Sequence, residues 1–430
     1  MKRNALNELK QWKNSDSRKP MILKGARQVG KTWLMKEFGN QNYEKVAYFN
    51  FDENKELGTI FESNKDPFRI IELLSLIIGE KVEPENTLII FDEIQECPEA
   101  LNSLKYFNEK ANEYNIISAG SLLGTLLATP KSYPVGKVNI LNISPLKFDE
   151  FLQATDQSLY QYYIDIKKDQ VIEKVFHEKL LDVYRNYLIV GGMPECVYSW
   201  INNKDPQEVL RIQSELLEVY ENDFSKHNNK INANRLLMVF RSITSQLAKE
   251  NKKFVYGVIK EGARAREFEE AIEWLTSAGM INKAYSVSKM EHPLAAFDQL
   301  DAFKLYLFDI GLLKRMAGVN NESILLEADF QFKGAMAENF VLQQIKDQFD
   351  NEPRYYSDRN GEIDFVAQNE GEIVPIEVKA KTNKQANTFK RYVNEKKPEH
   401  AIRYSEMGYV RNGNITNIPF YLINKSRELM

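Results

Sequence analysis

Cysteine is scarce here: the 430 residues hold two, Cys97 and Cys196, too few for a disulfide framework, and neither lies in a Cys-x-x-Cys pair or a Cys/His cluster at zinc-ligand spacing. A long apolar run is missing from residues 1–19, which are polar and charged; this excludes a secretory signal or membrane span there and sets the expectation of a cytoplasmic chain with no membrane partner. Low-complexity tracts and repeats at solenoid periods are absent too. Excess charge is lacking, because a formal net charge of −4 leaves nothing to coat nucleic acid and any such contact needs a local basic surface. The best candidate surface is residues 373–404, with eight Lys or Arg against three Glu. A solvated helix over residues 384–397 explains the same charges.

What is present is an ordinary globular composition, 43% hydrophobic with 21 Tyr and 24 Phe, enough for two to four domains. Short apolar runs at residues 20–24, 46–51, 87–91, 116–119 and 138–143 read as strands separated by amphipathic helices. That alternation predicts an α/β fold with a parallel sheet covered on both faces. From residue 148 the pattern turns helical, with long amphipathic stretches at 172–187, 208–220 and 232–250. Residues 232–293 then offer helix, short helix, helix and a strand-like 280–287, the order of a winged helix. The expected domains are an ATPase core at 1–155, a helical lid at 156–228, a winged-helix-like domain at 229–328 and a separate α/β domain at 329–430.

The sharpest motif is Gly25, Ala26, Arg27, Gln28, Val29, Gly30, Lys31 and Thr32, which follows a strand and opens a helix. Glycines let backbone N–H groups wrap an anion, a lysine reaches the β- and γ-phosphates, and a Thr hydroxyl offers itself to Mg²⁺. Some sixty residues on, the apolar strand Leu88, Ile89, Ile90, Phe91 ends in Asp92 and Glu93. Asp92 is then placed to hold the magnesium shell and Glu93 to act as general base on a water. Two acids capping the next helix is the bland reading of the pair. Together the two motifs predict ATP and Mg²⁺ as cofactors and ATP hydrolysis as the reaction.

These residues resemble the prokaryotic AAA+ ATP-binding proteins that carry a C-terminal domain of unknown function, related to the archaeal ATPase and signal-transducing branch. The resemblance runs over nearly the whole chain, through the two motifs above, residues 133–152, Gly191, Gly192, Met193, Pro194 and Glu195, residues 303–307 and residues 332–339. It implies that Ser121 senses the γ-phosphate, although Ser118 or Ser121 as a helix cap fits as well. It implies that Pro194 packs near the adenine base. Ring-forming members present an arginine finger before the fifth strand, yet no arginine occurs between Ser121 and Tyr184, which speaks against a conventional hexameric motor.

In the last domain Asp364 is followed, after twelve intervening residues, by Glu377 and then Lys379, with Glu338 on a helix upstream. This resembles the PD-(D/E)xK pattern of restriction-endonuclease-like domains. The chemistry asks for an Asp and a Glu on adjacent strands to hold Mg²⁺, and a lysine two residues after the Glu, on the same face, to act on water. The implied metal ligands are Glu338, Asp364 and Glu377. Two functions remain open: an ATPase that controls DNA binding and metal-dependent DNA cleavage, or a non-cutting switch that recruits DNA, a protein partner or further copies of itself. Arg264, Arg266 and Lys283 of the winged-helix segment suit DNA, but Glu267, Glu269, Glu270 and Glu273 suit packing against a lid equally.

Overall fold

A computed structural model describes residues 1–120, 136–226, 233–326, 330–359, 361–380 and 387–430. The chain divides into two units, Met1–Ser144 with Ser277–Gly279, and Pro145–Thr276 with Met280–Met430.

The first unit is built on five parallel strands, β1 (Met21–Lys24), β2 (Lys45–Asn50), β3 (Thr87–Asp92), β4 (Asn115–Ala119) and β5 (Asn139–Asn142), in the order β2-β3-β4-β1-β5. All five were expected from their apolar runs. β3 and β4 are buried along their whole length, as strands covered on both faces must be, which is why each reads as a continuous apolar run. One side of the sheet packs on a core containing Phe49, Phe51, Phe61 and Phe91, whose rings meet 5.7–6.2 Å apart. Because every strand runs the same way, the chain leaves β1 and β3 on the same edge of the sheet. Ligands of open α/β sheets bind at such a carboxyl edge.

The second unit begins with helices Phe148–Thr155, Gln157–Asp165, Lys174–Val190, Pro194–Asn203 and Pro206–Lys226. Helices Ala233–Leu247, Tyr256–Ile259 and Ala265–Ser277 follow, then the antiparallel pair β6 (Ile281–Val287) and β7 (Asp298–Leu307). This is the element order expected of a winged helix. The hairpin, however, is not a free wing. β6 pairs in parallel with β8 (Arg354–Asp358), so β6 and β7 extend one eight-stranded sheet of order β12-β13-β11-β10-β9-β8-β6-β7. The other members are β9 (Gly361–Asn369), β10 (Glu372–Lys379), β11 (Ala401–Ser405), β12 (Val410–Asn412) and β13 (Ile415–Pro419).

Within that sheet, helix Lys333–Ile345 precedes three antiparallel strands β8, β9 and β10; helix Asn387–Lys396 then crosses over to β11, which runs parallel to β10. Helix Lys333–Ile345 is buried from Ala335 to Ile345 without a break, because it is covered on several sides. Both cysteines are buried and free. No helix among the described residues is long and apolar enough to cross a membrane.

Candidate functional site

The loop after β1 is shaped by two glycines. A Cβ on Gly25 would lie 2.1 Å from the carbonyl oxygen of Ile143, and Gly30 has φ 90° as it caps the helix Lys31–Asn42. A side chain at Gly25 would require the backbone to move, and the left-handed φ at Gly30 favours glycine. Arg3 holds the loop from outside, donating to the carbonyls of Val29 (3.0 Å) and Ser144 (2.7 Å).

Lys31 is 7% exposed, and its ammonium donates to the carbonyls of Gly25 (3.0 Å) and Ala26 (2.8 Å). Burial lowers its pKa to about 8, with Glu93 and Asp92 opposing the shift. Next to it, Thr32 donates its hydroxyl to Asp92 Oδ2 at 2.7 Å, and Tyr48 donates to the same oxygen at 2.9 Å. Asp92 Oδ1 accepts the backbone N–H of Glu93 (3.1 Å). Glu93 sits in the left-handed region at φ 48°, and Gln95 donates to its Oε2 at 2.6 Å. Thr32 and Asp92 are therefore within one hydrogen bond of each other, and a hydroxyl beside a carboxylate is an oxygen donor set that suits magnesium.

The remaining sequence candidates are distributed as follows. Ala26, Arg27, Gln28 and Val29 form the loop itself, with Gln28 at φ 62°. Ser121 lies outside the described residues. Ser118 is fully buried on β4 and its hydroxyl has no hydrogen-bond partner among the described residues. Pro194 opens the helix Pro194–Asn203 in the second unit. Just before it, Gly192 donates its N–H to Asp309 Oδ2 (2.7 Å), and a Cβ on Gly191 would meet Asp309 Oδ1 at 2.4 Å. Asp309 is wholly buried, which raises its pKa to about 6 against the backbone N–H groups that favour its charge.

The C-terminal candidates gather on one side of β9 and β10. Ile376 pairs with Phe365, so Glu377 follows on beside Asp364, whose Oδ2 accepts the N–H of Val378 at 2.7 Å. Lys379 lies 2.5 Å from Glu377. Glu338, on the helix Lys333–Ile345, is bound by Lys252 (2.5 Å to Oε1) and by the hydroxyl of Tyr306 (3.0 Å to Oε2). Lys304 on β7 is fully buried, pairs with Glu362 and stands 3.8 Å from Glu338 Oε2. Burial together with Glu377, Glu338 and Glu362 pushes the Asp364 carboxyl well above its ordinary range. Burial would raise Glu338 too, but Lys252 and Lys304 hold it below its usual value.

Three acids here do not make a metal centre as they stand. Among the described residues, the one His/Cys/Asp/Glu group whose ligand atoms all lie within 4.8 Å of one another is Glu372, Glu399 and His400, elsewhere on the sheet. Glu338, Asp364 and Glu377 therefore do not present a convergent ligand set as they stand: Glu338 faces Lys252, Glu377 faces Lys379, and Asp364 accepts the N–H of Val378. The wing cation is also engaged: Lys283 pairs with Glu273 at 2.8 Å and covers the rings of Tyr285 and Phe303.

Sequence reading missed Arg3, Tyr48, Gln95, Lys252, Lys304 and Asp309. Tyr48 left a faint signal, since β2 alternates and puts Tyr48 and Asn50 on its less buried face. Asp309 left one as an acid closing the apolar run from Leu305 to Phe308.

Comparison with known families places an AAA domain at residues 17–152. Residues 181–323 and 333–423 match two domains of unknown function, DUF8612 and DUF4143. No curated protein matches the chain in sequence. Among solved structures, the Walker-type ATPase of Pyrococcus abyssi aligns at 15% identity and a TM-score of 0.47, over 72% of this chain and 94% of the other. Cdc6p of Pyrobaculum aerophilum aligns at 16% identity and 0.26, over 76% and 94%. The ORC1 protein of Aeropyrum pernix, solved in complex with DNA, aligns at 12% identity and 0.25, over 75% and 92%.

Proposed function

We propose that this chain, whose first unit carries an AAA domain, is a magnesium-dependent ATP hydrolase whose nucleotide state governs what its C-terminal segments hold, DNA being the macromolecular partner. The observation that carries this reading is the Thr32–Asp92 pair, 2.7 Å apart beside a buried lysine whose ammonium, among the described residues, bonds backbone carbonyls. The loop N–H groups and the start of helix Lys31–Asn42 receive the phosphates. Lys31 exchanges the carbonyls of Gly25 and Ala26 for phosphate oxygens. Thr32 and Asp92 are the residues that would hold magnesium, which when bound neutralises charge on the phosphates. Glu93 takes a proton from the attacking water, and Gln95 fixes the carboxylate that does so. On the family resemblance, Ser121 and Pro194 are further candidates for nucleotide contact.

Phosphate release with Mg²⁺ and ATP tests this. Glu93→Gln is expected to keep ATP binding and to lose turnover by about 100-fold or more. Lys31→Ala is expected to lose ATP binding itself. Turnover at the wild-type rate in Glu93→Gln would remove the assignment of the base.

The second reading is DNA cleavage by Asp364, Glu377 and Lys379. It is favoured by the sequence of helix, three antiparallel strands, crossover helix and parallel strand around them, the layout that the PD-(D/E)xK resemblance leads one to expect. The acids as arranged do not fit a metal, so no hydrolytic step is derived through one.

A further inference from the structure

Four carboxylates, Glu338, Glu362, Asp364 and Glu377, meet three ammonium groups, Lys252, Lys304 and Lys379. The acids all come from the segment that matches one family, residues 333–423, whereas Lys252 and Lys304 come from the segment that matches the other, residues 181–323. Lys379 is the lysine of the nuclease-like pattern itself. Lys252 and Lys304 are the surplus cations, and together they carry two positive charges.

Their placement is costly unless it serves the acids. Lys304 is 0% exposed, and a buried ammonium without a partner is strongly destabilising. It is met by Glu362 and Glu338 on one side and stands 4.7 Å from the centre of the Tyr355 ring. Lys252 reaches Glu338 from a residue at φ 51°, an uncommon conformation for a side chain-bearing residue. Both oxygens of Glu338 are thereby engaged, Oε1 by Lys252 and Oε2 by Tyr306 with Lys304 nearby. A divalent cation bound at Glu338 would have to displace these donors and would then lie against two ammonium groups. At contact distances like charges in a buried site repel by several kcal/mol.

We infer that Lys252 and Lys304 supply, in this sheet, the two positive charges that a divalent metal supplies in a metal-dependent nuclease. The cluster is a metal-free ion-pair network that fastens residues 252–307 to the C-terminal helix and strands, and the chain has no hydrolytic metal centre there. A DNA partner held by this unit is bound without being cut. The inference is independent of the nucleotide site and decides between the two readings of the C-terminal domain.

The test uses the full chain with Thr32→Ala, which removes the P-loop metal ligand, titrated with Mn²⁺ and followed by the free-ion electron spin resonance signal. The expected result is no Mn²⁺ uptake that depends on Asp364, and an unfolding midpoint unchanged by EDTA. A bound Mn²⁺ that disappears when Asp364→Asn is added would overturn the inference, as would an EDTA-sensitive midpoint that Asp364→Asn makes insensitive. A second arm removes the lysines. Lys252→Ala, the more accessible of the two, is expected to create Asp364-dependent Mn²⁺ uptake in the same background, and Lys304→Met to lower the midpoint by roughly 5 °C or more. Should Lys304→Met fail to fold, Lys252→Ala still decides: a variant with a wild-type midpoint and no Mn²⁺ uptake shows that its ammonium was not filling a metal's place.

Discussion

Lys31 and Lys304 are both almost completely buried, and their surroundings push them in opposite directions. Burial brings Lys31 down to about 8, and the nearby Glu93 and Asp92 only partly offset the loss of water; its ammonium donates to the carbonyls of Gly25 and Ala26. Burial acts on Lys304 as well, but Glu338, Glu362 and Asp364 overcome it and hold the group above its ordinary value. A buried cation without an adequate anion is a group waiting for one. A buried cation with three acids around it is already served. On the proposed reading the first site receives phosphate, and on the inference above the second is complete without a ligand.

The comparison breaks most visibly if Glu338 is removed. Glu338→Ala leaves Lys252 and Lys304 short of their shared acid, and the expected loss is about 3–5 kcal/mol in urea unfolding, the usual cost of taking one partner from a buried ion pair. Thr32→Ala, at the other site, is expected to leave stability within about 1 kcal/mol while abolishing metal-supported turnover. If both substitutions cost the same stability, the two sites are not different in kind.

Much of the first site was legible in the sequence because its chemistry is local. The loop, its helix and the acid pair each lie within a few consecutive residues, and β3 is a buried parallel strand that reads as unbroken apolar residues up to Asp92. That the sheet is parallel followed from the same alternation of short runs and helices, whereas the order of its strands did not. The second site was legible only in its acids. Lys252 and Glu338 are 86 residues apart, and Lys304 and Glu362 are 58 apart, so no spacing rule connects them. Their pairing depends on β6 joining β8, a parallel contact between a hairpin and a strand some seventy residues later. The first strand of the hairpin was visible; that it continues another sheet was not, because an edge strand looks the same whether it faces water or a partner. Arg3 and Tyr48 were hidden for the same reason, each acting over a long stretch of chain on a motif that reads as complete without it.

A buried acid with no ion-pair partner among the described residues extends the contrast. Asp309 accepts N–H groups of Gly192, Leu312 and Gly311, with Gln343 beside it, and burial raises its pKa to about 6. An acid whose folded pKa lies above its unfolded value binds more protons in the folded state between the two. Its ionisation therefore destabilises the fold, by an amount that grows as pH rises from about 4 to about 6 and is constant above, reaching about 3 kcal/mol. Asp309→Asn is expected to flatten this part of the pH profile. The quantity to measure is the difference in unfolding free energy between wild type and variant at pH 4.5 and pH 7; an equal difference at both would show that Asp309 ionises freely in the fold.

Tyr48 offers the finest test of the first site. Its hydroxyl donates to the oxygen of Asp92 that also receives Thr32, at 2.9 Å and 2.7 Å. Tyr48→Phe removes one donor and leaves the ring, which Lys36 covers at 3.7 Å, so the packing of β2 is kept. If the hydroxyl orients Asp92 towards a cation, its loss weakens Mg²⁺ by an amount comparable to one hydrogen bond to a charged group, about 1.5–3 kcal/mol at most and a few-fold at least. ATP affinity measured without metal should not change, because Tyr48 makes no contact with the loop that receives phosphate in the bonds seen here. The split is diagnostic. A metal-specific loss makes Tyr48 a positioning residue for Asp92, whereas equal losses with and without Mg²⁺ would mean that the phenol only supports the strand from which Asn50 and Asp92 face each other across the sheet.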